Sequence, residues 1–413
     1  MYLRVARGFD RLADPDALNR TPAGEHLSAG NCGVLKHMSS GDGPIPFFDW
    51  KALYAEGAET FAAIMDRTAR GGGFILQAAV DEFERGLAAY LGVRHAVGLS
   101  DCTNAMLLGL RASGLQPGDE VILPGHAFIA AAQSIHFAGG IPVPVELSET
   151  DWLVDPDAIR AAIGPRTRGI MPVHVNGRIA AMDAIGEIAA DHRLSIYEDA
   201  AQALGARFDG KAAGCFGAWG AFSFYPSKTL GCFGDAGALV TDDDEIAATV
   251  RAMRNHGAGP EKAIPRDTTI WGTNARIDNL HAAILVHKLA TYDAAIARRR
   301  MIAQAYDEAF SALGALELPP APDADPRRFD IFQNYELCCD RRDALRAYLA
   351  DQGIGTIVQW GGSGIHQFRG LGFDQHLPRT DRFFARSLLL PMNHLLTDMQ
   401  VDRIVTAVRG FFA

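Results

Sequence analysis

The sequence predicts an α/β fold, with a mostly parallel seven-stranded sheet flanked by helices and a smaller C-terminal α+β domain. Three observations predict it. Between about residues 75 and 245, seven short apolar runs alternate with helix-sized segments. A long helical pattern at about 276–312 then ends at the breaker PPAPDADP (319–326). Beyond it, one strand-like run, FQNYELCC, is mixed with helices.

Taken in order, residues 1–43 show no sustained period and end in SSGDG, so they read as an N-terminal extension. Residues 44–290 read as a large domain and 291–413 as a small one. Within 78–91, Val80, Phe83, Leu87, Tyr90 and Leu91 recur at helical spacing. The seven apolar runs are AVGL (96–99), VILP (121–124), IPVPV (141–145), GIMPV (169–173), LSIY (194–197), GAFSF (220–224) and GALVT (237–241). Strands separated by helices pair in parallel and are covered on both faces, which makes them near-continuously apolar. Residues 121–145 carry no Asp, Glu, Lys or Arg, but their glycines and prolines cut them into strand, helix and strand rather than one membrane span. Open parallel sheets bind ligands beyond the carboxyl ends of their strands, so polar residues there are the ones to examine.

Composition narrows the function. The 413-residue chain has a formal net charge of -10, which argues against a partner that tracks the nucleic-acid backbone. None of the six cysteines (Cys32, Cys102, Cys215, Cys232, Cys338, Cys339) forms a C-x-x-C pair, and a chain this long points to a reducing, cytoplasmic setting. The N-terminus lacks the apolar core of a signal peptide. No His, Asp and Glu spacing suggests a metal, and His174, His256 and His281 are read as structural.

Three segments carry chemistry. In FSFYPSKTLGCFGD (222–235), Lys228 follows a strand among aromatic residues and glycines. Such a lysine is ordinarily solvated, but apolar enclosure lowers an amine's pKa and makes it a nucleophile. In LSIYEDAAQALGA (194–206), Asp199 ends a strand; it is either a helix cap or the partner of a protonated ring nitrogen. In GLSDCTNAMLLGL (98–110), the turn places the amides of Cys102 and Thr103 at a helix start, suited to phosphate, although Ser100, Asp101 or Thr103 could equally be an ordinary cap.

Together these segments resemble the DegT/DnrJ/EryC1/StrS family of sugar aminotransferases, which belong to the fold-type-I pyridoxal-phosphate (PLP) enzymes. The resemblance runs from IPFFDWKALY (45–54) to LLLPM (388–392) and is most specific in EDAAQ and SFYPSK. It implies that Lys228 holds PLP as a Schiff base, Asp199 faces the pyridinium nitrogen and Gln202 bonds the phenolic oxygen. Ser223 and the amides of Cys102 and Thr103 take the phosphate, Phe128 stacks on the ring, and Asn274 reaches the phosphate of a partner subunit in a homodimer. Cys102 replaces the usual glycine, Ala127 the usual threonine, VHVNGR the usual VHLYGQ, and QWGGSGIHQF (359–368) a Tyr-Pro segment. Trp360 and His366 on that divergent segment are the candidates for contact with the sugar. The implied reaction moves an amine from glutamate or glutamine to a nucleotide-linked keto-sugar; SFYPSKTLG with GDAGA resembles members acting at a 3-keto rather than a 4-keto carbon. Alternatives are a cyclitol or other non-nucleotide ketone, or a non-catalytic PLP-binding regulator. A dehydratase, whose lysine is replaced by histidine, is disfavoured by Lys228.

Overall fold

The computed structural model describes residues 43–259 and 263–413. Of the expected N-terminal extension, only Gly43 lies among them. Strands β1 (His95–Leu99), β2 (Glu120–Pro124), β3 (Ile141–Val145), β4 (Thr167–Ile170) and β5 (Ser195–Asp199) are followed by the short pair β6 (Arg207–Phe208) and β7 (Lys211–Ala212), then β8 (Trp219–Ser223) and β9 (Gly237–Thr241). The main sheet has the order β1-β9-β8-β5-β4-β2-β3. Its neighbours are parallel except at β9, which runs antiparallel to β1 and β8. The expected seven-stranded, mostly parallel sheet is present. The carboxyl ends of β1, β5 and β8 therefore open on one edge, and the β8–β9 connection carries Lys228 over it.

The segments form as their patterns dictate. Helix Ala78–Leu91 buries Val80, Phe83, Leu87 and Leu91 on one stripe, and the Phe83 ring meets Phe224 edge-on at 5.2 Å between centroids. Truncating Leu87 to Ala there would cost roughly 2–5 kcal/mol. The charge-free stretch forms β2, helix Ile129–Phe137 and β3. The long helical pattern at 276–312 is two helices, Asn279–Leu289 and Tyr292–Phe310. They part where Thr291 leaves helical geometry at φ −118°, ψ 12°, and the next residue, Tyr292, is fixed by its hydroxyl to the Leu204 carbonyl at 2.8 Å.

A second core lies in the C-terminal part. Strands β11 (Tyr335–Cys338) and β12 (Ser387–Leu390) pair antiparallel, while the short β10 (Arg328–Phe329) joins β6. Buried Leu337, Leu345, Leu349, Leu388, Ile404 and Val408 form that core with Ile45, which the chain brings back from its start by pairing with Ile354. Helix Tyr292–Phe310 serves both cores. Tyr292 and Ile296 face the sheet's core, and Ile302, Ala303, Tyr306 and Phe310 face the second.

Candidate active site

The turn after β1 begins the site. Asp101 caps helix Cys102–Ala112, its carboxylate accepting the Asn104 amide at 2.7 Å, while the Asn104 side chain donates to Asp101 at 2.7 Å and to Ser100 at 3.1 Å. Asp101, not Ser100 or Thr103, is thus the cap. The first-turn amides of Cys102 and Thr103 have no carbonyl ahead of them in the helix, which leaves the concentrated donors of a helix start facing the cavity. Gly237 lies under this turn, and a Cβ on it would come within 2.4–2.6 Å of the Asp101–Cys102 peptide. Only glycine lets the turn sit this low against β9.

The end of β5 supplies the floor. Asp199 is 5% exposed and its carboxylate accepts the Ala201 amide at 3.1 Å. Burial raises its pKa, partly offset by the Ala201 amide, Lys228 and His174. A buried carboxylate with a raised pKa is a group that a cation in front of it would stabilise. Three residues on, Gln202 turns its Oε1 to the Asn176 amide at 2.7 Å, which orients the carboxamide and leaves its NH2 group for another partner. Asn176 itself is held in left-handed geometry at φ 58°.

The connection after β8 closes the site. Lys228 N donates to the Tyr225 carbonyl at 2.8 Å, and Ser223 Oγ accepts the Tyr225 amide at 3.3 Å. Desolvation lowers the Lys228 pKa, with Asp199 and Cys102 pulling the other way. Cys102, also buried, is pushed well above the usual thiol range by desolvation, with Asp199 adding to the rise, so it stays a neutral thiol. Lys228, Asp199, Gln202, Ser223, Cys102, Thr103, Phe128 and Trp360 all line one cavity of about 540 Å³, with Asp101, Tyr225, Ser227 and Asp235 beside them.

Two sequence candidates are not brought into that cavity. Asn274 is exposed on the segment before helix Asn279–Leu289, paired through its backbone with Asn255. His366 is fully buried, packed against Gly125 and Gly364, and its Nε2 bonds Asp381 at 2.8 Å. It supports the segment that carries Trp360 instead of facing the cavity. Trp360 adopts φ 50°, and its ring lines the cavity 6.3 Å from that of Phe128. His174 is buried with Nε2 2.9 Å from Glu198, a core pair.

Sequence reasoning missed a polar cluster behind the Gln202 side. Glu336 is 1% exposed; its Oε2 accepts Asn176 Nδ2 at 2.6 Å, and Asn334 Nδ2 donates to Asn176 Oδ1 at 2.8 Å. His126 Nε2 lies 3.7 Å from Glu336. Desolvation raises Glu336 to about 7, held back by the Asn176 bond, and lowers His126 to about 4 against its bond to the Trp152 carbonyl. The available signal was the run FQNYELCC, where Gln, Asn and Glu interrupt an otherwise apolar segment.

Comparison with known proteins fits this geometry. Residues 56–409 match the DegT/DnrJ/EryC1/StrS aminotransferase family. The chain belongs to that family. It is 40% identical to dTDP-3-amino-3,4,6-trideoxy-alpha-D-glucose transaminase of Streptomyces venezuelae over 88% of this chain and 95% of the relative. It is 35% identical to a pleiotropic regulatory protein of Geobacillus stearothermophilus over 89% of this chain and 98% of the relative. The crystal structure of S. venezuelae DesV in complex with a ketimine intermediate superposes with a TM-score of 0.84 at 38% identity, over 89% of this chain and 98% of that one. As a DegT/DnrJ/EryC1/StrS member the protein is a PLP-dependent aminotransferase. The cavity suits that cofactor. It holds a half-buried lysine of lowered pKa, a buried carboxylate in need of a cation, and a helix start seated low over a glycine.

Proposed function

We propose that the protein transfers an amine from glutamate or glutamine to a nucleotide-linked 3-keto hexose. The observation that carries the reading is the convergence of Lys228, Asp199, Gln202 and the Cys102–Thr103 helix start on one cavity at the sheet's carboxyl edge. The choice of acceptor is supported by the Streptomyces relative, whose name specifies a dTDP-3-amino sugar.

In this reading Lys228 Nζ would hold PLP covalently, the Asp199 carboxylate would pair with its ring nitrogen, and Gln202 Nε2 would donate to its phenolic oxygen. The amides of Cys102 and Thr103, with Ser223 Oγ, take the phosphate, and the Phe128 ring covers one face and excludes water. When bound, the cofactor supplies an electron sink for the substrate carbon. Lys228 Nζ, freed from the cofactor, would carry the proton between the substrate carbon and the cofactor carbon; its lowered pKa gives it a larger neutral fraction than a solvated lysine has. Trp360, on the cavity lining, contacts the sugar.

We further assign a homodimer in which Asn274 of each chain reaches the other's phosphate site. The exposed Asn274 segment and its neighbour Trp271, 87% exposed, support an unmet partner surface. A cytoplasmic setting is supported by the free thiols of Cys102, Cys215, Cys232, Cys338 and Cys339.

The test offers the purified enzyme an amino donor and then a series of ketones, read by mass spectrometry. A nucleotide-linked 3-keto hexose should be aminated far better than the free sugar, because binding energy from the remote nucleotide orients the reacting ketone. Equal turnover of free sugars or inososes favours the cyclitol reading. A silent cofactor binder would show no spectral change with any donor.

A further inference from the structure

We propose that Gln333 is a positioning residue for Lys228, holding the lysine segment from both sides through one carboxamide. The proposal rests on Lys228 being the cofactor lysine. Gln333 Nε2 donates to the Ser227 carbonyl at 2.9 Å, and Gln333 Oε1 accepts both the Thr229 amide and the Thr229 hydroxyl at 2.7 Å. Ser227 and Thr229 are the residues on either side of Lys228. The carboxamide thus spans the peptide units that carry the lysine, using its donor and acceptor in the only orientation that satisfies both.

Gln333 is 4% exposed and comes from a distant part of the chain, beyond the proline-rich break. Its own backbone is fixed with unusual redundancy. Arg299, 5% exposed, donates Nη1 to the carbonyls of Phe332, Gln333 and Met392 at 3.2, 3.0 and 2.8 Å. Phe332 is held at φ 51°, a conformation a bulky residue keeps only when its surroundings impose it. On the other side Gly177 lies so close that a Cβ there would come within 2.9 Å of the Gln333 nitrogen. A strained residue, a buried arginine and a glycine contact all fix the backbone that carries this carboxamide, and the carboxamide ends on the lysine segment. A lysine that must serve both as covalent anchor and as proton carrier needs its stem held over the reacting carbon, and small misplacements there are expensive in rate.

Two variants test this. Gln333→Leu removes both hydrogen-bonding ends at similar size. Gln333→Glu keeps the acceptor for Thr229 and, when ionised, sets an oxygen against the Ser227 carbonyl; protonation restores the donor. We expect Gln333→Leu to lower kcat about tenfold or more with little change in KM, and to move the pH midpoint of the visible absorbance of the lysine-bound cofactor. For Gln333→Glu, kcat relative to wild type at each pH should rise as pH falls from about 9 to about 6, as its buried carboxyl takes up a proton. If Gln333→Leu does not fold, the Gln333→Glu profile decides alone. A wild-type absorbance midpoint together with a flat kcat ratio for Gln333→Glu would reduce Gln333 to a structural contact and overturn the proposal. Lys228→Ala, run alongside, separates the failures. If it keeps the visible absorbance, the underlying assignment of Lys228 is what fails.

Discussion

Replacing Glu336 by Gln should change how the protein's stability depends on pH. Glu336 is buried against Asn176, His126 and the Ser387 hydroxyl, and its pKa rises from an ordinary 4.5 to about 7. His126, lowered to about 4, is neutral where Glu336 titrates and supplies no compensating charge. Because the folded value lies above the unfolded one, the native chain holds this proton more tightly. That contribution is complete below about pH 4.5 and is lost as pH rises through about 7. An interval of about 2.5 pH units at about 1.4 kcal/mol each makes the loss on the order of 3 kcal/mol. Glutamine keeps an acceptor for Asn176 and does not ionise. The unfolding free energy of Glu336→Gln, measured against wild type in urea at several pH values with matched m-values, should therefore gain about 3 kcal/mol between about pH 4.5 and about pH 8. Titrating groups distant from Glu336 are common to both proteins and cancel in the difference. Two parallel pH curves would refute the assignment of a raised pKa to this buried carboxyl.

Asp199→Asn should leave the fold intact and cut turnover on the order of a hundredfold, since a neutral amide cannot hold a proton on the ring nitrogen opposite it; near-normal kcat with cofactor bound would leave Asp199 as a cap for Ala201 alone. Gly237→Ala should weaken cofactor affinity at least about tenfold in equilibrium dialysis, because the added methyl displaces the Cys102 turn, whereas unchanged affinity would show that the turn takes no part in binding phosphate. Mixing Lys228→Ala chains with Asn274→Ala chains should recover activity in the heterodimer, which regains one intact site; a fully active monomer in sedimentation would rule out sharing.

Much of this architecture was legible in the chain. GALVT matched β9 residue for residue and the 78–91 periodicity matched helix Ala78–Leu91, because apolar period follows directly from which faces are buried. GIMPV and LSIY were displaced by one to three residues from β4 and β5, since ladder ends depend on neighbours that a single sequence does not reveal. The break at Thr291 was hidden for the same reason. No glycine or proline marks it, and a tertiary bond from Tyr292 accompanies it. Within the site, the segments around Lys228, Asp199 and Cys102 announced themselves because each couples a strand end to a polar turn. Gln333, Glu336 and Asn176 did not, because their importance lies in contacts between residues more than a hundred positions apart. His366 looked like a pocket residue from its segment, but its ring turns inward to Asp381.

The central claim is that Lys228 carries the cofactor, and borohydride tests it directly. The holoprotein is reduced, digested and mapped by mass spectrometry, so that a phosphopyridoxyl group is trapped on whichever lysine held it. Lys288 provides the internal comparison, since it too has a pKa lowered by burial and lines a separate cavity of about 350 Å³. The label should appear on the peptide bearing Lys228 and on no other; a label on Lys288, or no label on any lysine of a protein that still transaminates, would contradict that assignment.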